Sequence, residues 1–117
     1  MKKRLIEVRS YKLKPGYLAA FHAAASGAAV PLLLKWGMEV VAFGPSSHEP
    51  DTYFLIRAYA DLADRNARQE AFYGSDAWKN GPRESIVPLV ESYLNTLLWL
   101  SPEAINDLRR NNSGPGP

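Results

Sequence analysis

From Leu5 to Leu13 apolar and polar residues alternate, with Ile6, Val8 and Ser10 on one side and Leu5, Glu7, Arg9 and Tyr11 on the other. This period of two predicts a strand with one apolar face and one face that is polar, charged and aromatic. Pro15 ends the ladder and suits the first turn of a helix. Leu18, Phe21, His22, Ala25, Ala28, Ala29, Leu32, Leu33 and Trp36 then recur at three- and four-residue steps, a long helical pattern. Its small central residues, Ala23 to Ala29, allow a close approach to whatever it packs on. Pro31 removes one helical hydrogen bond and crowds the Gly27 carbonyl, at about 3 kcal/mol. Burial of Phe21, Leu32, Leu33 and Trp36, at roughly 1.5–3 kcal/mol each, outweighs that cost. A single kinked helix ending at Gly37 is therefore expected.

Met38 to Phe43 and Thr52 to Tyr59 are β-rich and flank a turn-dense loop, which predicts an antiparallel hairpin. Asp61, with Asp64 three residues on, opens a second helix over Leu62 to Tyr73. Ser75 caps a short turn through Trp78, and Pro82 starts a helical piece that Pro88 keeps short. Glu91 to Leu100 alternates again as a last strand, and Ser101-Pro102-Glu103 caps a small polar helix. Residues 1–100 form the domain, and residues 101–117 a short C-terminal helix and a flexible Pro/Gly tail from Asn111.

The order strand, helix, strand, strand, helix, strand predicts an α+β protein of ferredoxin-like βαββαβ topology, with both helices on one side of an antiparallel sheet. On the other side the alternation is expected to leave Glu7, Arg9 and Tyr11 beside Tyr53, Leu55, Arg57 and Tyr59, and beside Tyr93, Asn95, Leu97 and Trp99. Such a face is too aromatic for water and too charged for a plain core. Meeting a second copy resolves the conflict, so a homodimer packed sheet to sheet is expected, with Glu7 paired to Arg57 or Arg9.

Composition narrows the chemistry. The chain has 117 residues, enough for one domain. It has no cysteine, which excludes disulfides, thiolate metal sites and a cysteine nucleophile. With two histidines and no HExxH spacing, no metal site is expected. Net charge is +2, its excess gathered at Lys2-Lys3-Arg4 and Arg109-Arg110, and no basic stripe interleaved with stacking aromatics points to nucleic acid. Strand residues follow the basic start in place of a signal segment, and no run reaches membrane-spanning length, so a cytosolic setting is the default expectation. There is neither a nucleophile elbow nor a glycine-rich phosphate loop.

His22 on the apolar helix face is a candidate general base or axial haem ligand. The plainer reading is a partly buried histidine bonded to backbone or to a tyrosine. Arg9 and Arg57, with Glu7, are candidates for orienting an anionic substrate, or else form a structural ion-pair network. Tyr11, Tyr59, Tyr93 and Trp78 are candidates for an aromatic pocket, with a phenol as proton donor. Trp78 lies in a capped turn between Gly74 and Gly81 that suits a lid. Aromatic residues also fill sheets and interfaces without further function.

Four landmarks carry a family likeness. The opening Ile6-Glu7-Val8-Arg9-Ser10-Tyr11-Lys12-Leu13-Lys14-Pro15-Gly16 resembles the start of NIPSNAP-family domains, a Glu-x-Arg-x-Tyr strand leading into Lys-Pro-Gly. The likeness continues through Pro31-Leu32-Leu33 with Trp36-Gly37, through Ala58 to Arg65, and through Ser75-Asp76-Ala77-Trp78, so it spans about residues 4 to 100. It implies a dimeric α+β barrel akin in fold to cofactor-independent antibiotic-biosynthesis monooxygenases, haem-degrading enzymes and muconolactone isomerases. It supplies no activity. The alanine-rich helix is blander than one lining a haem, and no cofactor is expected. The resulting expectation is a cleft between helices and sheet that binds a hydrophobic or aromatic small molecule. Any reaction there would be cofactor-free oxygenation or isomerisation, with His22 accepting a proton, a tyrosine such as Tyr59 donating one, and Arg57 or Arg9 orienting a carboxylate or enolate. The competing expectation is a non-catalytic interaction module whose polar sheet face serves only dimer assembly.

Overall fold

Strand β1 (Arg4–Leu13) is the axis of a four-stranded antiparallel sheet in the computed structural model, which describes residues 2–112. It pairs with β3 (Thr52–Tyr59) on one side and β4 (Val90–Leu100) on the other, and β2 (Glu39–Pro45) closes the order β2-β3-β1-β4. This is the ferredoxin-like α+β arrangement. Glu7 lies opposite Arg57 on β3 and Leu97 on β4, and Tyr11 lies opposite Tyr53 and Tyr93.

Helix α1 spans Leu18–Lys35 and α2 spans Leu62–Tyr73. The short pieces α3 (Asp76–Lys79) and α4 (Arg83–Ile86) lead into β4, and α5 (Pro102–Asn112) follows it. Pro15 does not start α1. Pro15 and Gly16 occupy the middle of a tight turn closed by the Tyr17 N–H on the Lys14 carbonyl, and Gly16 has φ +86°. Proline followed by a positive-φ residue is type II turn chemistry, so the helix begins after it. Pro31 is accommodated inside one continuous helix. The turn before it, Ala25–Ala29, widens to a π-turn in which the Val30 N–H reaches the Ala25 carbonyl. At the far end the Met38 N–H donates to the Leu33 carbonyl and stops the helix at Gly37. Contrary to the sequence reading, Leu18–Lys35 is long and apolar enough to cross a membrane by length and composition. In this fold Phe21, Ala25, Ala29, Val30 and Leu33 bury one side of it.

The two faces of the sheet are covered the opposite way from the expectation. Helices α1 and α2 lie over the mixed face, where Leu5, Leu13, Tyr53, Leu55 and Tyr59 meet Phe21, Ala25, Leu33 and Phe72 in the larger core cluster. The plain apolar face holds a smaller cluster of Ile6, Val41, Ile56 and Ala58 under Ile105 of α5. Arg4 and Arg109 clamp α5 in place through the two oxygens of Glu39, at 2.6 and 2.9 Å. Asn111 and Asn112, expected in the tail, belong to α5, and the rest of the tail lies outside the described residues. Ile105 is 2% exposed, so Ile105→Ala should lower unfolding free energy by about 3 kcal/mol in urea titration. A loss below about 0.5 kcal/mol, the scale of surface substitutions, would mean that α5 does not seal this face.

Candidate functional site

At the centre of the mixed face is Glu7, fully buried on β1. Arg57 of β3 donates to Oε1 through Nε at 3.0 Å and Nη2 at 2.5 Å. From α2, Arg65 donates to Oε2 at 2.8 Å, and the Gln69 amide nitrogen donates to both oxygens at 3.0 and 2.9 Å. Three guanidiniums surround one carboxylate once Arg9 is included, at 3.7 Å. Burial alone would push the Glu7 pKa up; the charge on Arg57, the Gln69 hydrogen bond, Arg9 and Arg65 together hold it below its ordinary value. Burial likewise opposes the charge on Arg57, and Tyr73, Tyr59 and Glu7 more than offset it.

This arrangement depends on α2 presenting polar groups inward. Arg65, Gln69 and Tyr73 stand four residues apart and so share one helix face. The Asp61 side chain caps the helix by accepting from the Asp64 N–H at 2.8 Å, while Asp64 accepts from the Ala60 N–H at 2.9 Å. Tyr73 accepts from Arg57 Nη1 at 2.8 Å and from Arg9 Nη1 at 3.4 Å. Arg9 Nε donates to Asn95 on β4 at 2.9 Å, and its guanidinium carbon lies 4.7 Å from the centroid of the Tyr93 ring.

Next to this network is a cleft of about 370 Å³, with Arg9, Tyr11, Gln69 and Tyr73 at its polar end and Trp78, Ile86, Val87, Val90 and Tyr93 along its walls. Behind it a small void of about 30 Å³ shares Tyr11, Tyr73, Trp78 and Ile86 and reaches Ala25 and Ala29 of the π-turn. Ser75 Oγ accepts from the Trp78 N–H at 3.2 Å, and the indole stands edge-on to Tyr73 with centroids 5.2 Å apart. At Gly81 a Cβ would sit 2.4 Å from the Ala77 carbonyl oxygen, so only glycine fits the turn that ends this wall.

Of the residues singled out from sequence, Arg9, Tyr11, Trp78 and Tyr93 line this one cleft. Arg57 and Tyr59 do not; both are fully buried behind it, and Tyr59 accepts from the Gln69 amide at 3.1 Å. His22 lies elsewhere, in a groove of about 390 Å³ beside the edge of β2, sharing a 2.6 Å hydrogen bond between Nδ1 and the Tyr53 hydroxyl. That is the plainer of its two readings, and it removes His22 from a cleft shared with Trp78. The expectation that Glu7, Arg9 and Arg57 occupy a bare assembly face is also corrected. Glu7 and Arg57 pair within one chain, closed over by α2. Tyr73 and Gln69 went unrecognised, although they form a polar stripe with Arg65 on a helix with few apolar residues, and Asn95 was placed on the mixed face without a role.

A ferredoxin-like sheet whose helix layer closes over a charged network and leaves an aromatic cleft at one end defines the class of protein. The sequence profile of NIPSNAP matches residues 6–102, and the chain belongs to the NIPSNAP family. Similar solved structures include a NIPSNAP family protein of unknown function from Agrobacterium tumefaciens strain C58, 23% identical over 86% of this chain and 94% of that one, with a TM-score of 0.78. Another is an uncharacterized NIPSNAP-like domain protein from Burkholderia xenovorans, 19% identical over 100% and 94%, also at 0.78. A candidate antibiotic biosynthesis monooxygenase from Bordetella bronchiseptica aligns at 20% identity over 85% and 96%, with a TM-score of 0.64. No curated protein matches the chain.

Removing the charge of Glu7 leaves buried guanidiniums without a counterion, so Glu7→Gln should destabilise the fold by about 3–5 kcal/mol. The pKa of Glu7 is lowered in the folded state, so its contribution is present above the ordinary value of 4.5 and is lost as pH falls through the folded value. Urea unfolding from neutral to acid pH should show this loss in the wild type and a flatter acid limb in Glu7→Gln. Parallel curves would contradict the assignment.

Proposed function

We propose that this chain is a homodimeric, cytosolic binding protein for a hydrophobic or aromatic small molecule, held in the cleft between the helices and the sheet. The observation that carries this reading is the cleft itself. It is concave and walled by Trp78, Tyr11, Tyr93 and Ile86, with a few convergent polar groups at one end. Cofactor-free oxygenation or isomerisation is the chemistry that fits it best. Burial raises the pKa of Tyr11 and keeps its hydroxyl protonated, and Arg9 supplies positive charge beside it. The fold likeness to a candidate antibiotic biosynthesis monooxygenase supports the same choice by analogy alone.

The surface on which a second copy would assemble is β4. This edge strand is 11 residues long and exposes Tyr93, Leu94, Leu97 and Trp99, with Leu94 at 77%. An apolar edge of that length invites a partner, and a second copy pairing there would cover it.

Mass spectrometry of the protein under non-denaturing conditions should detect a retained apolar or aromatic molecule that is lost in Ile86→Trp, which fills the cleft. Its absence, with no thermal shift from aromatic probes, would contradict the binding reading. Light scattering should give twice the chain mass for the wild type and the single chain mass for Leu94→Lys/Trp99→Lys. A wild-type monomer would rule the dimer out.

A further inference from the structure

Hydrogen-bond accounting at the polar end of the cleft specifies more than an apolar ligand. Glu7 already accepts from Arg57, Arg65 and Gln69 and has no capacity left for Arg9, whose Nη2 stays 3.7 Å away. Among the described residues Arg9 donates through Nε to Asn95 and through one Nη1 hydrogen to Tyr73, with Tyr11 beside it, which leaves N–H donors of its guanidinium available at the cleft. Tyr73 accepts from Arg57 and Arg9, which fills both acceptor positions of its hydroxyl and leaves the O–H free to donate. Gln69 is fixed the other way round. Its amide nitrogen must face the acceptor-only Glu7, so its carbonyl oxygen is the end left over for the cleft it lines.

Charge points the same way. Three guanidiniums share one carboxylate, leaving two positive charges in excess. On α2, Asp64 is committed to Arg68 and the Ala60 N–H. Arg9, 8% exposed and stacked on Tyr93, is the cation that borders the cleft. One guanidinium beside one phenol donor matches a flat monoanion.

We propose that the cleft recognises a hydroxylated aromatic carboxylate, its carboxylate accepting from Arg9 and the Tyr73 hydroxyl, its ring between Trp78 and Tyr93, and its hydroxyl donating to Gln69. This deepens the small-molecule reading above and rests on it.

Calorimetric titration of the wild-type protein with benzoate, 3-hydroxybenzoate, 3-methoxybenzoate and benzyl alcohol tests the proposal. Benzoate should bind roughly 10- to 100-fold more tightly than benzyl alcohol, the span expected of charge-assisted hydrogen bonds. The 3-hydroxy compound should exceed the 3-methoxy compound, and added salt should weaken both. Arg9→Gln, checked for folding by circular dichroism, should bring the carboxylates down to the level of benzyl alcohol. Tyr73→Phe should weaken them several-fold without affecting benzyl alcohol. Equal binding of benzoate and benzyl alcohol would overturn the carboxylate while leaving the cleft reading intact. A carboxylate preference that survives in folded Arg9→Gln would overturn the role of Arg9. Failure of every probe at millimolar concentration would overturn both readings.

Discussion

A single carboxylate, Glu7, decides how this molecule is put together. It lies on the central strand with no exposure to solvent, where an unpaired charge would cost several kcal/mol. Its oxygens are satisfied from two directions, by Arg57 across the sheet and by Arg65 and Gln69 from above. The bond across the sheet fixes the register of β1 against β3. The bonds from above fix which face of α2 turns inward, and with it the height of the helix layer. Geometry this specific is the kind of constraint that buried polar groups impose, whatever their net contribution to stability.

The cleft follows from that arrangement. The inward face of α2 reaches Glu7 and Arg9 of β1 and Arg57 of β3 through Arg65, Gln69 and Tyr73, and two of these, Gln69 and Tyr73, also border the cleft. The gap that remains is walled by the next pieces of chain, the Trp78 turn and Ile86. Arg9 stands where the network meets this gap. It is ordered by Asn95, Tyr73 and Tyr93, yet not neutralised at hydrogen-bonding distance. The same residues that complete the core therefore leave a fixed positive group facing a half-apolar space.

Much of this was legible in the chain. Alternation at Leu5–Leu13 and Glu91–Leu100, the β-rich Met38–Phe43 and Thr52–Tyr59, the caps at Asp61 and Ser75 and the stop at Gly37 located the four strands and the main helices of the described residues, because local patterns encode local structure. The landmarks shared with NIPSNAP domains identified the family. Four residues on three elements, Arg9 and Tyr11 of β1, Trp78 of α3 and Tyr93 of β4, were singled out as aromatic or cationic, and they meet in one cleft. Alternation could not say which face of the sheet the helices cover. Glu7 looked unsuited to a core because two of its partners, Arg65 and Gln69, lie some 60 residues on and read as a solvated helix surface. His22 takes the plainer of its two readings, a histidine bonded to a tyrosine, because an apolar helical stripe shows that a residue lies near the core and not which cavity it borders. Its partner Tyr53 lies on β3, below α1.

The most direct test of the account is a carbon-13 NMR titration of the Glu7 carboxyl in the folded protein. If Arg57, Arg65 and Gln69 organise the helix layer around a buried anion, the resonance should stay in its ionised position as pH falls past 4.5, the ordinary glutamate value, and should change only as the fold itself is lost. Protonation at or above 4.5 in a protein that remains folded would mean that burial outweighs the guanidiniums, and the network would not be what holds α2 over the sheet.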